Sequence, residues 1–286
     1  MKKRFHLTSR RHQKRTPPFW QTNMPYLHET NISFAGFRAL GYVMAFLGGA
    51  INAGGFFAVA RYTSHMSGAL AEMADRIYTG EWKIALTAFL MFVCFVLGAA
   101  HSSWTILWAK RHRFRSSHGI SMWMEAAYML IFGILGASLG QWGSEFFLSP
   151  TIMLMCFIMG MHNTVMTILS RGVIRSTHMT GFATDIGIEL SKVLYYSRSN
   201  NPRLPDVRVN MPKIKLFSGV IISFVLGGIV GAWGFYVLGY KFVFPVAAVL
   251  FLLGFGSIGY DVRLRLRIWL YRRHRRTHSS EEKQAP

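Results

Sequence analysis

The chain has 286 residues, 51% hydrophobic and only 15% charged, with its apolar residues in long blocks; a soluble domain carries about 25% charged residues, so that class is excluded. The formal net charge is +20, but the cations lie in patches between apolar blocks, which is the pattern of a membrane protein held by positive loops and not of a nucleic-acid partner. The two cysteines, Cys94 and Cys156, both sit inside apolar blocks, so neither a disulfide framework nor a CxxC metal motif is available.

Residues 1–33 are polar and basic, with Lys2, Lys3, Arg4, Arg10, Arg11, Lys14 and Arg15 ahead of Pro17-Pro18. Without an apolar core this is not a cleaved signal peptide. A disordered cytoplasmic tail near anionic lipid is expected, the first span acting as targeting signal.

Six apolar blocks follow: Ala39 to Ala60, Ile84 to Trp108, Met122 to Leu139, Thr151 to Leu169, Leu216 to Leu238 and Phe242 to Ile258. Each is long enough, or nearly so, to cross about 30 Å of hydrocarbon as a helix. Only Gly239-Tyr240-Lys241 joins the last two. Two further segments, Met66 to Tyr78 and Met179 to Tyr195, are helical in pattern but carry Glu72, Asp75 and Arg76, or Asp185, Glu189 and Lys192. Charges at membrane depth must face protein or water, so both read as short helices, re-entrant beside a cavity or lying on the surface.

The two short helices open on a repeated motif. Thr63-Ser64-His65-Met66-Ser67-Gly68 returns as Ser176-Thr177-His178-Met179-Thr180-Gly181, with Glu72 and Asp185 at the same later step, and Gly49-Ala50-Ile51-Asn52 resembles Gly160-Met161-His162-Asn163. Such self-similarity points to an internal duplication.

With the N-terminus inside, all but Arg61, Arg76, Lys83 and Lys241 of the 32 Lys and Arg fall on inner segments, supporting six spans with both termini in the cytoplasm. Three spans per half put the second half into the bilayer upside-down. The expected fold is therefore an all-α integral membrane protein, six transmembrane helices as a 3+3 inverted repeat with two short polar helices, re-entrant or half-length. The first repeat is 34–148 with its short helix within 66–80, and the second is 149–260 with its short helix within 179–197. The tail 261–286 alternates Arg with apolar residues before Arg272-Arg273-His274-Arg275-Arg276 and is expected to bind anionic lipid headgroups.

Asn52, the His65-Met66-Ser67-Gly68 turn, Gly160-Met161-His162-Asn163 and Thr180-Gly181 resemble the YoaK-like family of bacterial membrane proteins, over about residues 39 to 260. The resemblance implies a multi-spanning protein of the bacterial cytoplasmic membrane and carries no assigned activity. The chain departs from the family pattern at Asn52, where members often carry an acid, and at Ala69, where they carry Asn.

His65 and Glu72, like His178 and Asp185, stand two helical turns apart, one face apiece on a continuous helix. If the segments meet, two imidazoles and two carboxylates suit proton relay; the structural alternative is that each His bonds a helix start. No metal site is expected. Ser67-Gly68 and Thr180-Gly181 stand at helix starts, whose free N–H groups suit an anion or a substrate carboxylate, or serve as a cap and close crossing. Asn52 and Asn163 contact either a neighbouring helix or a substrate. The methionines read as core. Gly48-Gly49, Gly54-Gly55 and the GxxxG of Gly227 and Gly231 permit close helix packing, and a homo-oligomer stays open.

The expected function is a secondary transporter or exporter of a small solute, with proton coupling as one form of it. The alternatives are a non-transporting scaffold or regulator acting through the basic tails and, lower, a membrane-embedded enzyme, for which no HExxH, GxSxG or His-rich ligand set is present. No catalytic residue, cofactor or nucleic-acid partner is expected; the lipid bilayer is.

Overall fold

The computed structural model describes residues 35–59, 61–112, 114, 116–139, 148–195, 207–255 and 258. The expected basic tails, 1–33 and 261–286, lie outside the described residues. In chain order the helices are α1 (Ala35–Val59), α2 (Met66–Tyr78), α3 (Trp82–Arg111), α4 (Ser117–Leu139), α5 (Leu148–Leu169), α6 (Met179–Leu194) and α7 (Met211–Leu238). A 3-10 turn, Gly239–Phe242, leads to α8, residues 243–255. No strand occurs among the described residues.

Five helical stretches are long and apolar enough to cross a membrane, namely Arg38–Phe56, Trp82–Arg111, Ser117–Ala137, Pro150–Leu169 and Met211–Phe255. Six separate spans were expected and five such stretches are found, the last two apolar blocks falling in one helical run, Met211–Phe255, turned at Gly239. There φ is 56° and ψ is −140°, a backbone that L side chains rarely adopt. Phe242 folds back onto Gly234 and Phe235, and α8 then runs antiparallel to α4: Val243 lies by Gly133, and the Trp123 indole donates to the Phe251 carbonyl at 2.9 Å. The short helices arise where expected, Met66–Tyr78 and Met179–Leu194.

The helices differ in depth. The windows on α1 and α5 are each 61% buried, against 22% on α3 and 28% on the α7–α8 run, so α1 and α5 are central and the others outer. Leu97, Leu107, Ile222 and Ile229 stand exposed on the outer helices, as lipid-facing residues do. The interior is rich in methionine: Met44, Met129, Met155, Met159, Met161 and Met166 are fully buried, fulfilling their reading as core.

The two most extensive helix pairings, α1 with α7 and α3 with α5, are built alike. On α1, Phe46 and Gly49 meet Gly227, Phe224 and Gly228 of α7; on α5, Phe157 and Gly160 meet Gly98, Phe95 and Ala99 of α3. Each glycine lets a backbone carbonyl of the partner helix approach where a Cβ would strike it. The matching sequence is Phe95-Val96-Leu97-Gly98 on α3 and Phe224-Val225-Leu226-Gly227 on α7. Trp104 and Trp233 continue the same step, both 64% exposed. Thus α1 packs on α7 as α5 packs on α3. Contacts of Tyr42 with Gly219, Phe46 with Gly227, Ala50 with Gly231 and Gly54 with Phe235 show that α1 and α7 run parallel. The GxxxG of Gly227 and Gly231 is therefore occupied inside the chain.

Candidate functional site

Each central helix overshoots and the chain turns back. After α1 ends at Val59, Ser64 returns to Asn52, whose Oδ1 accepts from the Ser64 amide at 3.2 Å and from its hydroxyl at 2.8 Å. After α5, Arg171 and Gly172 both take positive φ, reversing the chain. Thr177 then reaches Asn163, whose Oδ1 accepts from the Thr177 amide at 3.1 Å while Nδ2 donates to Oγ1 at 2.7 Å. Asn52 and Asn163 lie about two turns, or roughly 10 Å, before their helix ends. The short helices therefore start about two turns inside the C-terminal ends of the long ones. Neither asparagine bonds a neighbouring helix as expected: each holds the segment that follows its own helix, and Asn163 also lines a cavity.

His65 and His178 occupy the N-cap positions of α2 and α6 without side-chain capping bonds. Each ring lies over the glycine three residues on, so that a Cβ at Gly68 or Gly181 would strike it. The two glycines serve the imidazoles.

One cavity of about 550 Å³ is lined by both elbows, with Ser64, His65, Met66 and Ser67 from the first and Arg175, Thr177, His178, Met179 and Thr180 from the second. Phe95 and Ala99 of α3 and Gly160, Asn163, Thr164 and Thr167 of α5 complete it. Of the residues singled out in the sequence, His65, Ser67, Asn163, His178 and Thr180 share this cavity, whereas Asn52, Gly68 and Gly181 support it from behind. Glu72 and Asp185 do not line it: Glu72 pairs with Arg61, and Asp185 with Lys213 at 2.9 Å. The cluster of two imidazoles with two carboxylates therefore does not assemble, because each acid turns to a nearer cation. Among the described residues no group of three or more His, Cys, Asp or Glu comes together as a metal would need.

A second polar feature joins a residue of the repeated segments, His162, to one outside them, Glu125. Glu125 of α4 and His162 of α5 are both 0% exposed, with His162 Nδ1 2.7 Å from Glu125 Oε1 and Nε2 2.8 Å from the Met44 carbonyl of α1. A carbonyl only accepts, so Nε2 carries hydrogen, and one further proton lies between Nδ1 and Oε1. Glu125 Oε2 has no partner among the described residues. The ring fits where Gly48 has no side chain; a Cβ there would lie 3.2 Å from Nε2 and 3.3 Å from Thr177. The pair thus sits directly behind the second elbow and joins α1, α4 and α5. Its sequence signals are His162 within Gly160-Met161-His162-Asn163 and a carboxylate within an apolar block, Met122 to Leu139.

Outside the spans, Glu189 on α6 is buried, and hydrogen bonds from Lys192 and from the Asn210 amide hold its carboxyl below the usual carboxylate range. It ties the short helix to the start of α7.

Residues 40–256 match the family described as protein of unknown function (DUF1275). The chain belongs to the DUF1275 family. The match covers every described helix except the first residues of α1, including both elbows and the Glu125–His162 pair. No curated protein and no solved structure matches the chain.

Proposed function

We propose that this DUF1275 protein is a secondary transporter or exporter of a small solute in the cytoplasmic membrane, working by alternating access between two inverted halves. In this reading α1 to α4 form one half and α5 to α8 the other, six crossings in all, both termini are cytoplasmic, and the chain groups with the YoaK-like proteins. The observation that carries it is the single cavity to which both His-Met-hydroxyl-Gly elbows contribute. Sites of this kind, at the ends of interrupted helices where two repeats meet, are the common design of secondary transporters. In this reading the pairing of α1 with α7 and of α3 with α5 joins the two halves, and the cavity draws its walls from both α3 and α5. The buried Glu125–His162 pair suits it to proton coupling: it holds one shared proton against the back of the second elbow, and intramembrane ionisable pairs mark ion pathways. The role is transport and not catalysis.

The test is flux into proteoliposomes carrying a pH-sensitive dye, across a panel of acetate, benzoate, phosphate and choline, with and without a pH gradient. A His65→Ala/His178→Ala protein that stays folded is expected to lose the flux of whichever solute the unmodified protein moves. Undiminished flux would remove the cavity as the pathway.

A further inference from the structure

We infer that the shared cavity binds a small organic anion, a carboxylate joined to an apolar body. This deepens the transporter reading and rests on it for every step after binding.

The case begins with Arg175, the one Lys or Arg among the described residues that lines the cavity. No Asp or Glu among the described residues lines it. In the first copy of the motif Arg61 is neutralised by Glu72, but in the second the corresponding acid, Asp185, is held by Lys213. The guanidinium of Arg175 thus has no carboxylate partner among the described residues. It stands two residues before Thr177, which is bonded to Asn163 about two turns before the end of α5. Arg175 is exposed where it lines the cavity, so its charge is open to an anion that enters. The planar, forked guanidinium matches a carboxylate with two parallel N–H donors.

The rest of the lining agrees. The hydroxyls of Ser67 and Thr180 and the two imidazoles add hydrogen-bonding groups around the same space, and none brings a formal negative charge. The two short helices begin at this cavity, so their dipoles add positive potential to that of Arg175. Phe95, Ala99, Met66 and Met179 also line the cavity, an apolar surface that a simple inorganic ion would leave uncovered. A volume of about 550 Å³ accommodates a ring or short chain beside the carboxylate. An organic cation would meet a guanidinium and no acid.

The test uses the purified full chain in lipid nanodiscs, with benzoate as probe, benzylammonium as the cation of the same shape and inorganic phosphate as the anion without an apolar body. Benzoate is expected to bind and to raise the thermal midpoint. Arg175→Gln, checked to unfold like the unmodified protein when no ligand is added, is expected to weaken binding about tenfold or more, the worth of a charge-assisted hydrogen bond. Binding of benzylammonium in place of benzoate, binding of phosphate but not benzoate, binding of none of the three, or benzoate binding undiminished in Arg175→Gln each overturns the inference. Benzoate binding without flux in proteoliposomes upholds this inference and removes the transporter reading; flux of choline without benzoate binding does the reverse.

Discussion

Asn163 and Asn52 show how much a single amide does in this fold. Each satisfies the backbone and hydroxyl of a returning elbow that has no helix or strand of its own to bond. Asn163→Ala leaves the Thr177 amide without its acceptor and is expected to cost about 1–3 kcal/mol, read from unfolding in mixed detergent. Gly181→Ala drives a methyl into the His178 ring and is expected to cost about 1–3 kcal/mol by overpacking. An unchanged midpoint would show that the ring moves aside freely. Glu125→Ala strands His162 in the interior and is expected to cost about 3–5 kcal/mol. The Glu125→Ala/His162→Ala double variant is expected to lose clearly less than the two single losses combined, and additivity would deny the coupling. The elbow residues were legible because the motif occurs twice at one spacing. Glu125 and His162 were not, because no local pattern links a carboxylate on α4 to an imidazole on α5, and the counterpart of His162 in the first copy is Ile51.

At the level of elements, the short helices were legible from their charges, but the direction of those charges was not. Two-turn spacing placed His and acid on one face, yet the His ends as an N-cap over glycine and the acid pairs sideways. Which cation lies nearest an acid depends on where the loops return. Glu189 gives α6 a pH dependence. Its carboxyl is held below its ordinary value, so its contribution is fully present above the ordinary carboxylate range and is lost as pH falls through the lowered value. Melting curves of the unmodified protein and Glu189→Gln are expected to differ at neutral pH and to converge in acid; a constant difference would contradict this. The Phe-Val-Leu-Gly segments of α3 and α7 were visible in the sequence but carry no polar residue to draw notice, and their meaning lies in the carbonyl each glycine admits from α1 or α5. Gly227→Leu is expected to abolish the folded monomer on size-exclusion chromatography, whereas a glycine serving only association between copies would leave the monomer intact.

For the whole molecule, hydropathy and the distribution of Lys and Arg made the membrane class and the helical architecture legible, since bilayer thickness and backbone hydrogen bonding leave few alternatives. The central position of α1 and α5 and the pairing of α1 with α7 and of α3 with α5 were not, because lipid-facing and protein-facing leucines look alike in sequence. Under the proposed transport mechanism the second half is inverted relative to the first, and its elbow meets the other in one cavity. The direct test is labelling with a membrane-impermeant thiol reagent in sealed right-side-out vesicles, Cys94 and Cys156 replaced and single cysteines placed at Thr79 and Tyr195, just past the outer ends of α2 and α6. Label at position 79 and none at 195 until the vesicles are opened is the expected result, and label reaching both positions from the same side would contradict it.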